Sequence, residues 1–274
     1  MLSVNTNNGA MVALQYLNST NSQLSTVQTA INTGLKVSSA KDNGATFAIA
    51  QNMRGDVAAY ESVTDSLNRG ISTIDVAVSA GNSISDLLIE MKQKALAASD
   101  ASLDTASRQA LNEDFKALRD QITTVVTNAV FNNYNLVNNT TAKITALASA
   151  DGSRRITVQD ENLKLSGSIV TVKSTGVIST AAKASTMVAT ITASLQNVNA
   201  ALGRLAAGAK KFSIQADFVG KLSDTLTKGI GNLVDADMAK ESALLQSLQV
   251  KQQLGVQALS IANSAPSITL SLFR

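Results

Sequence analysis

The chain has 274 residues, and 23 lysines and arginines against 20 acidic residues leave a net charge of only +3. Cysteine, histidine and tryptophan are absent, which excludes disulfides, thiolate or imidazole metal sites and every nucleophile–base pair built on Cys or His. Hydrophobic residues make up 45% but aromatics 3%, with one proline and 16% charged residues, a composition that favours long aliphatic helices and a surface partly hidden in other copies of the chain.

From the N-terminus, Ala10, Leu17, Leu24 and Ile31 recur every seven residues, and Ala13, Thr20, Val27 and Gly34 fill the second seam position. This spacing predicts a helix with a soft coiled-coil seam of small residues. Asp42 reads as the N-cap of a second helix, along which Val57, Tyr60, Thr64, Leu67, Ile71, Ile74, Val78, Gly81 and Leu88 step by threes and fours. The polar stretch 99–102 breaks that pattern. A third helix carries Leu111, Phe115, Leu118, Ile122, Val125 and Ala129, and the asparagine-rich stretch 132–139 ends it.

From 144 to 173 the period changes to two. Ile144, Ala146 and Ala148 alternate with polar or small residues, Asp151-Gly152 signals a tight turn, and Ile156, Val158, Leu163, Leu165, Val170 and Val172 follow. The stretch reads as a small β-hairpin or a three-strand patch. The helical period returns at Met187 and continues through Ile191, Leu195, Val198, Leu202, Leu205, Ala209, Phe212, Ala216, Val219 and Leu226 to Ile230, where Gly229 and Gly231 predict a break. The last helix sets Leu244, Leu248, Leu254, Ala258, Ile261 and Ala265 on one face, with Lys251 interrupting the seam and Pro266 ending the helix.

Charge is placed unevenly. Up to Ala40 the only charged side chain is Lys36, and after Lys251 none follows until the terminal Arg274. These ends do not read as membrane spans, because Gln252, Gln253, Gln257, Asn263, Ser264 and Pro266 interrupt the last stretch and ~20 consecutive apolar residues are needed. The N-terminus lacks the basic and apolar regions of a cleaved signal peptide. Basic residues are scattered and aromatics few, so a nucleic-acid partner is not expected. Asp235 and Asp237 read as helix-capping and subunit-bridging carboxylates rather than a metal or acid–base pair. Gly229 and Gly231 lack the preceding strand and lysine of a phosphate loop. No catalytic residue, cofactor or metal is expected.

The run from Asn32-Thr33-Gly34-Leu35-Lys36 through Lys41-Asp42-Asn43-Gly44-Ala45 resembles the N-terminal signature of bacterial flagellins, and Phe47-Ala48-Ile49-Ala50 and Asn68-Arg69-Gly70-Ile71-Ser72 continue it. Phe131-Asn132-Asn133 stands where the family usually has Phe-Asn-Gly. Ala201-Leu202-Gly203, the run from Leu233-Val234-Asp235-Ala236-Asp237 to Ser242, Gln257-Ala258-Leu259-Ser260-Ile261-Ala262-Asn263 and Leu270-Ser271-Leu272 resemble the C-terminal signature. The resemblance covers residues 1–140 and 185–274, and the short form, with Gly231-Asn232-Leu233 before Asp235, looks most like alphaproteobacterial flagellins.

The resemblance implies a mainly α fold of long antiparallel helices. Residues 1–40 and 231–274 would form a discontinuous coiled-coil inner domain, and 41–230 a helical outer domain with a β-hairpin at about 144–173. No large variable outer domain is expected, since only about 55 residues separate the matching blocks. It implies a non-enzymatic, secreted subunit that polymerises with itself into the flagellar filament for swimming. Its other partners would be the type III export apparatus, an export chaperone, the filament cap and the hook-junction proteins. The alternatives are a hook–filament junction protein of the same superfamily and a secreted coiled-coil effector. Gln93 and Lys94 depart from the family stretch read by an animal immune receptor, and Lys36 stands where relatives often carry Arg.

Overall fold

The structure is a computed structural model that describes residues 6–141 and 143–271, with side chains to Ser264 at the C-terminal end. Its elements are α1 (Asn8–Thr33), α2 (Gly44–Ala98), α3 (Thr105–Asn128), β1 (Lys143–Leu147), β2 (Arg155–Gln159), α4 (Ala181–Val234) and α5 (Met238–Ser271). The chain divides into two compact units, Met1–Gly55 with Thr225–Arg274, and Asp56–Asp224.

Side-chain caps set the helix starts. The Asn7 side chain accepts the Ala10 N–H at 3.1 Å to start α1, and Asp104 accepts the Ser107 N–H at 2.8 Å to start α3. The cap of α2 lies one residue beyond the expected Asp42: Asn43 Oδ1 accepts the Thr46 N–H at 3.0 Å. Asp42 instead turns back, accepting the Ser38 and Ser39 N–H groups at 3.0 and 2.9 Å and both serine hydroxyls. Gly34 ends α1 in the left-handed region at φ 72° and donates to Ala30 O at 2.8 Å. At the far end of α2 the Arg108 guanidinium gathers the carbonyls of Ala98, Asp100 and Leu103 at 2.8–3.0 Å. A cation there answers the negative helix end.

Two expected ends are not helix ends. α4 runs through Gly229 and Gly231 to Val234. A Cβ on Gly231 would stand 2.7 Å from Asp235 Oδ2, so this glycine makes room for the Asp235 carboxylate one turn on rather than breaking the helix. α5 runs through Pro266 to Ser271. The proline has no N–H for the carbonyl of Ala262, four residues back. The Asn7 side-chain amide donates to that carbonyl instead, at 2.6 Å.

Besides Thr73 and Ala80, the buried positions of α2 in the unit Asp56–Asp224 are Val63, Leu67, Gly70, Ile74, Ala77, Gly81, Ile84, Leu88, Met91, Ala95 and Ala98. They alternate by four and three without a break, the spacing of a coiled-coil seam. On α4 the matching positions are Ile191, Ser194, Val198, Ala201, Leu205, Gly208 and Phe212. Close approach comes from glycines facing large side chains. A Cβ on Gly70 would stand 2.5 Å from Phe212 Cε2, on Gly81 2.6 Å from Leu202 Cδ2, and on Gly208 2.7 Å from Val158 Cγ1. Phe115, Ile122 and Val126 of α3 complete this core.

β1 and β2 pair antiparallel, with Ile144 opposite Val158 and Ala146 opposite Ile156 on the inward face. Of the two expected alternatives, the hairpin forms and the third strand does not. Leu165 and Val170 make only an isolated bridge. The chain from 160 to 180 is held by backbone bonds, with Glu161 N–H donating to Leu136 O at 2.8 Å and Leu163 N–H to Val137 O at 2.9 Å, and by side chains. Asn112 accepts the Ile178 N–H at 2.8 Å, Arg119 donates to Gly176 O at 3.0 Å, and Ser194 Oγ accepts the Thr171 N–H at 3.1 Å. Arg204 grips Glu161 with two parallel bonds of 2.6 and 2.7 Å.

Candidate assembly surface

α1 carries no charged residue at all, and α5 carries only Lys240, Glu241 and Lys251. The two run antiparallel, with Asn7 beside Ala262, Leu17 Cδ1 3.3 Å from a Cβ built on Gly255, and Gln252 donating to Asn21 Oδ1 at 2.8 Å. On α1 the less exposed positions are Ala10, Ala13, Leu17, Thr20, Leu24, Val27, Ala30, Ile31 and Gly34. Ala10, Leu17, Leu24 and Ile31 are among them.

On α5 the seam toward α1 takes a different phase from the expected one. The less exposed positions are Glu241, Leu245, Leu248, Gln252, Gly255, Leu259 and Ala262, again in steps of four and three. Leu248, 1% exposed, belongs to this seam, whereas Leu244, Leu254, Ala258 and Ile261 stand in solvent, Ile261 at 71%. The side chain of Ala265 lies outside the described residues. The phase was illegible because apolar residues surround α5, and the face that closes on α1 is built from a glycine, a glutamine and a glutamate as well as leucines. Large apolar side chains therefore remain outward on both helices. Tyr16 is 72% exposed, and Met11, Val12, Leu14, Val250 and Val256 are exposed with it. Patches of this kind on a soluble chain mark an interaction surface.

The end of α1 and the start of α5 are tied by backbone. Lys36 N–H donates to Val234 O and Ala236 N–H to Gly34 O, both at 2.8 Å, around the Leu35–Asp235 bridge. Beneath it Val37, Ala50 and Val234 bury together, flanked by Leu35, Phe47, Ile230 and Leu233. Lys36 Nζ donates to Asn232 O at 2.9 Å, placing its charge at the negative end of α4. Asp237 caps α5, accepting the Ala239 and Lys240 N–H groups at 3.0 and 3.2 Å. Asp235 serves through its backbone. Asp42 holds its proton only below the usual carboxylate range, chiefly because the Ser38 hydroxyl and the Ser39 N–H donate to it.

Two family models match this chain, one for the bacterial flagellin N-terminal helical region over residues 4–142 and one for its C-terminal helical region over residues 187–273. The chain belongs to the bacterial flagellin family. It is 56% identical over 272 residues to flagellin FljK of Caulobacter vibrioides, covering 99% of this chain and 98% of that one. It is 38% identical over 283 residues to a flagellin of Brucella melitensis, covering all of both. A crystal structure of Bacillus cereus flagellin aligns with 65% of this chain and 93% of its own at 17% identity, with a TM-score of 0.42.

The other signature positions of this flagellin have structural work. Lys41 and Asn68 are exposed, and Asn68 O accepts the Ser72 hydroxyl at 3.0 Å. Gly70 is the seat of Phe212, and its neighbour Arg69 is exposed on α2. Where the family usually has Phe-Asn-Gly, Phe131 and Tyr134 exchange backbone bonds of 2.9 and 2.8 Å across Asn132 and Asn133. Both asparagines have positive φ, 47° and 67°. That is a primed two-residue turn, in which asparagine is the residue that best replaces glycine. Among the described residues no cluster of His, Cys, Asp and Glu could hold a metal, and no helix is long and apolar enough to cross a membrane.

Proposed function

We propose that this chain is the repeating subunit of a bacterial flagellar filament, secreted and assembled outside the cell. The observation that carries the reading is the α1–α5 pair. It is almost free of charge, seals only one face of each helix, and leaves Tyr16, Leu254 and Ile261 in water. A monomer gains nothing from that exposure. A tube of copies buries it, at roughly 1.5–3 kcal/mol for each large side chain.

In this reading residues 1–40 and 231–274 form the inner tube and 41–230 the outer shell, which carries no enzymatic site. The seam residues Ala10, Leu17, Leu24 and Ile31 hold the pair together within a copy. Leu244, Leu254, Ala258 and Ile261 meet other copies, as does Ala265. The export apparatus, an export chaperone and the filament cap would handle the chain before and during assembly. Its uncharged ends, unable to bury their outward faces alone, suit a segment that must pass a channel and be shielded until it joins a polymer.

Electron microscopy of the purified chain with short filament seeds tests this. The expected result is long uniform tubes, and monomers from a version lacking both uncharged ends. A full chain that only caps seed ends would overturn the reading in favour of a junction protein.

A further inference from the structure

The hairpin and α2 enclose a polar cleft of about 380 Å³. Arg69 of α2, Lys143 at the start of β1 and Arg155 at the start of β2 all line it, and no carboxylate does. The ion pairs found among the described residues, Lys94–Asp114, Lys116–Glu113, Arg119–Asp120 and Arg204–Glu161, involve none of the three. Asp65, one turn before Arg69 on α2, lines a separate groove with Glu61 and Asp224. Three cations sharing one cleft repel each other, and among the described residues none of the three is held in an ion pair.

We propose that this cleft is an oxyanion site, and that it takes a ligand of two or more negative charges. Two features beyond charge favour this. First, the cations sit on a fixed frame. Lys143 stands opposite Gln159 and Arg155 opposite Leu147, so the two flank Thr145 on the outward face of the hairpin, and Arg69 projects from a long helix. Two guanidinium forks and an ammonium match a sulfate, phosphate or carboxylate group.

Second, the neutral groups lining the cleft include free donors. Ser66 Oγ already accepts the Leu147 N–H at 3.2 Å, which leaves its hydroxyl hydrogen to donate into the cleft. Asn132 and Tyr134 are presented by the tight turn at 131–134. Thr73 is the exception, since its hydroxyl donates to Arg69 O at 2.8 Å.

The same chemistry has two sources, a free oxyanion and the carboxylates of a second copy, and the test separates them. Inorganic sulfate is titrated into the monomeric full chain at constant ionic strength made up with chloride, and backbone amides are followed by NMR. Saturable shifts are expected at Ser66, Arg69, Asn132 and Thr145. Arg69→Gln and Arg155→Gln should each weaken binding about tenfold, the loss of one charge-assisted bond, while Lys116→Gln leaves it unchanged.

Shifts that grow linearly with sulfate, or that spread over the whole unit, would overturn the proposal. So would equal binding by the arginine variants. Should a variant lose its fold, protection of Arg69 and Arg155 from phenylglyoxal by sulfate in the unaltered chain replaces it, and absent protection has the same negative meaning.

The second arm repeats the titration on polymer. Sulfate binding that persists identifies a free oxyanion as the ligand, and sulfate binding lost on polymerisation identifies carboxylates of a neighbouring copy. The monomer arm does not depend on the filament reading.

Discussion

Gly70 is a position where the absence of one carbon decides how closely two parts of a core approach. Phe212 is fully buried with its ring edge where a Cβ would be, 2.5 Å away. The ring is fully buried in a core that also holds Leu67 and Ile74, and an aromatic ring in a filled core has little room to move aside. Gly70→Ala should therefore lower stability by about 1–3 kcal/mol despite the better helix propensity of alanine. Thermal unfolding of the full chain checks this, and Gly70→Ala with Phe212→Leu should recover part of the loss. An unchanged melting temperature in the single variant would show that the core yields there.

Asp151 illustrates the opposite kind of residue, exposed and held by its own loop. The Ser149 and Ser153 side chains and the Ser153 N–H lower its pKa from 3.8 to about 2. A depressed carboxylate stabilises the folded loop above its unfolded pKa, and the effect fades as the pH falls through the folded one. The hairpin loop should therefore loosen between about pH 4 and pH 2. Carboxylate NMR should show Asp151 titrating at about 2, and Ser149→Ala should move it upward. A titration midpoint near 4 would contradict this.

At the scale of elements, the beginning and end of the described chain are linked through a single amide. Asn7 caps α1 with its oxygen and fills the bond that Pro266 leaves open on Ala262 with its nitrogen. The two effects separate in a double-mutant cycle. Asn7→Ala should cost about 1–2 kcal/mol in the α1–α5 pair, from a lost cap and an unpaired carbonyl. In a Pro266→Ala background the new N–H satisfies Ala262, and only the cap is lost, so the cost should fall by about half. Hydrogen exchange of α1 and α5 amides measures both, and additive effects would mean that the two sites are uncoupled.

Much of this level was legible in the sequence. The breaks at 99–102 and 132–139 and the turn at Asp151-Gly152 lie where patterning put them. Patterning failed where small residues form the seam. Gly70, Ala77, Ala201 and Gly208 are buried, yet a search for apolar periodicity selects their larger flanking neighbours Ile71, Val78, Leu202 and Ala209. The same effect hid the phase of α5. Pro266 misled for a different reason, since its missing bond is replaced by a residue 259 positions away in sequence, which no local rule can see. The cleft of Arg69, Lys143 and Arg155 had no sequence signal, because its members meet only once the hairpin folds onto α2.

At the scale of the whole molecule, the question is what an uncharged surface does for a chain that polymerises. Ile261 is the sharpest probe, since among the described side chains of α5 it is the most exposed large apolar one and lies off the α1 seam. Ile261→Lys should leave the monomer untouched, with the same circular dichroism and melting temperature. In a tube of copies the ammonium would face an interface nearly free of compensating charge. Placing an unpaired cation there costs a few kcal/mol even when the side chain bends toward water. At 1.4 kcal/mol for each tenfold change, the subunit concentration needed for growth should rise by about a hundredfold. The same substitution at Leu248 should act differently, unfolding the α1–α5 pair before any polymer forms. If Ile261→Lys polymerises as readily as the unaltered chain, that face of α5 lies in solvent within the tube, and the polymer contact must be sought on the outward face of α1 around Tyr16.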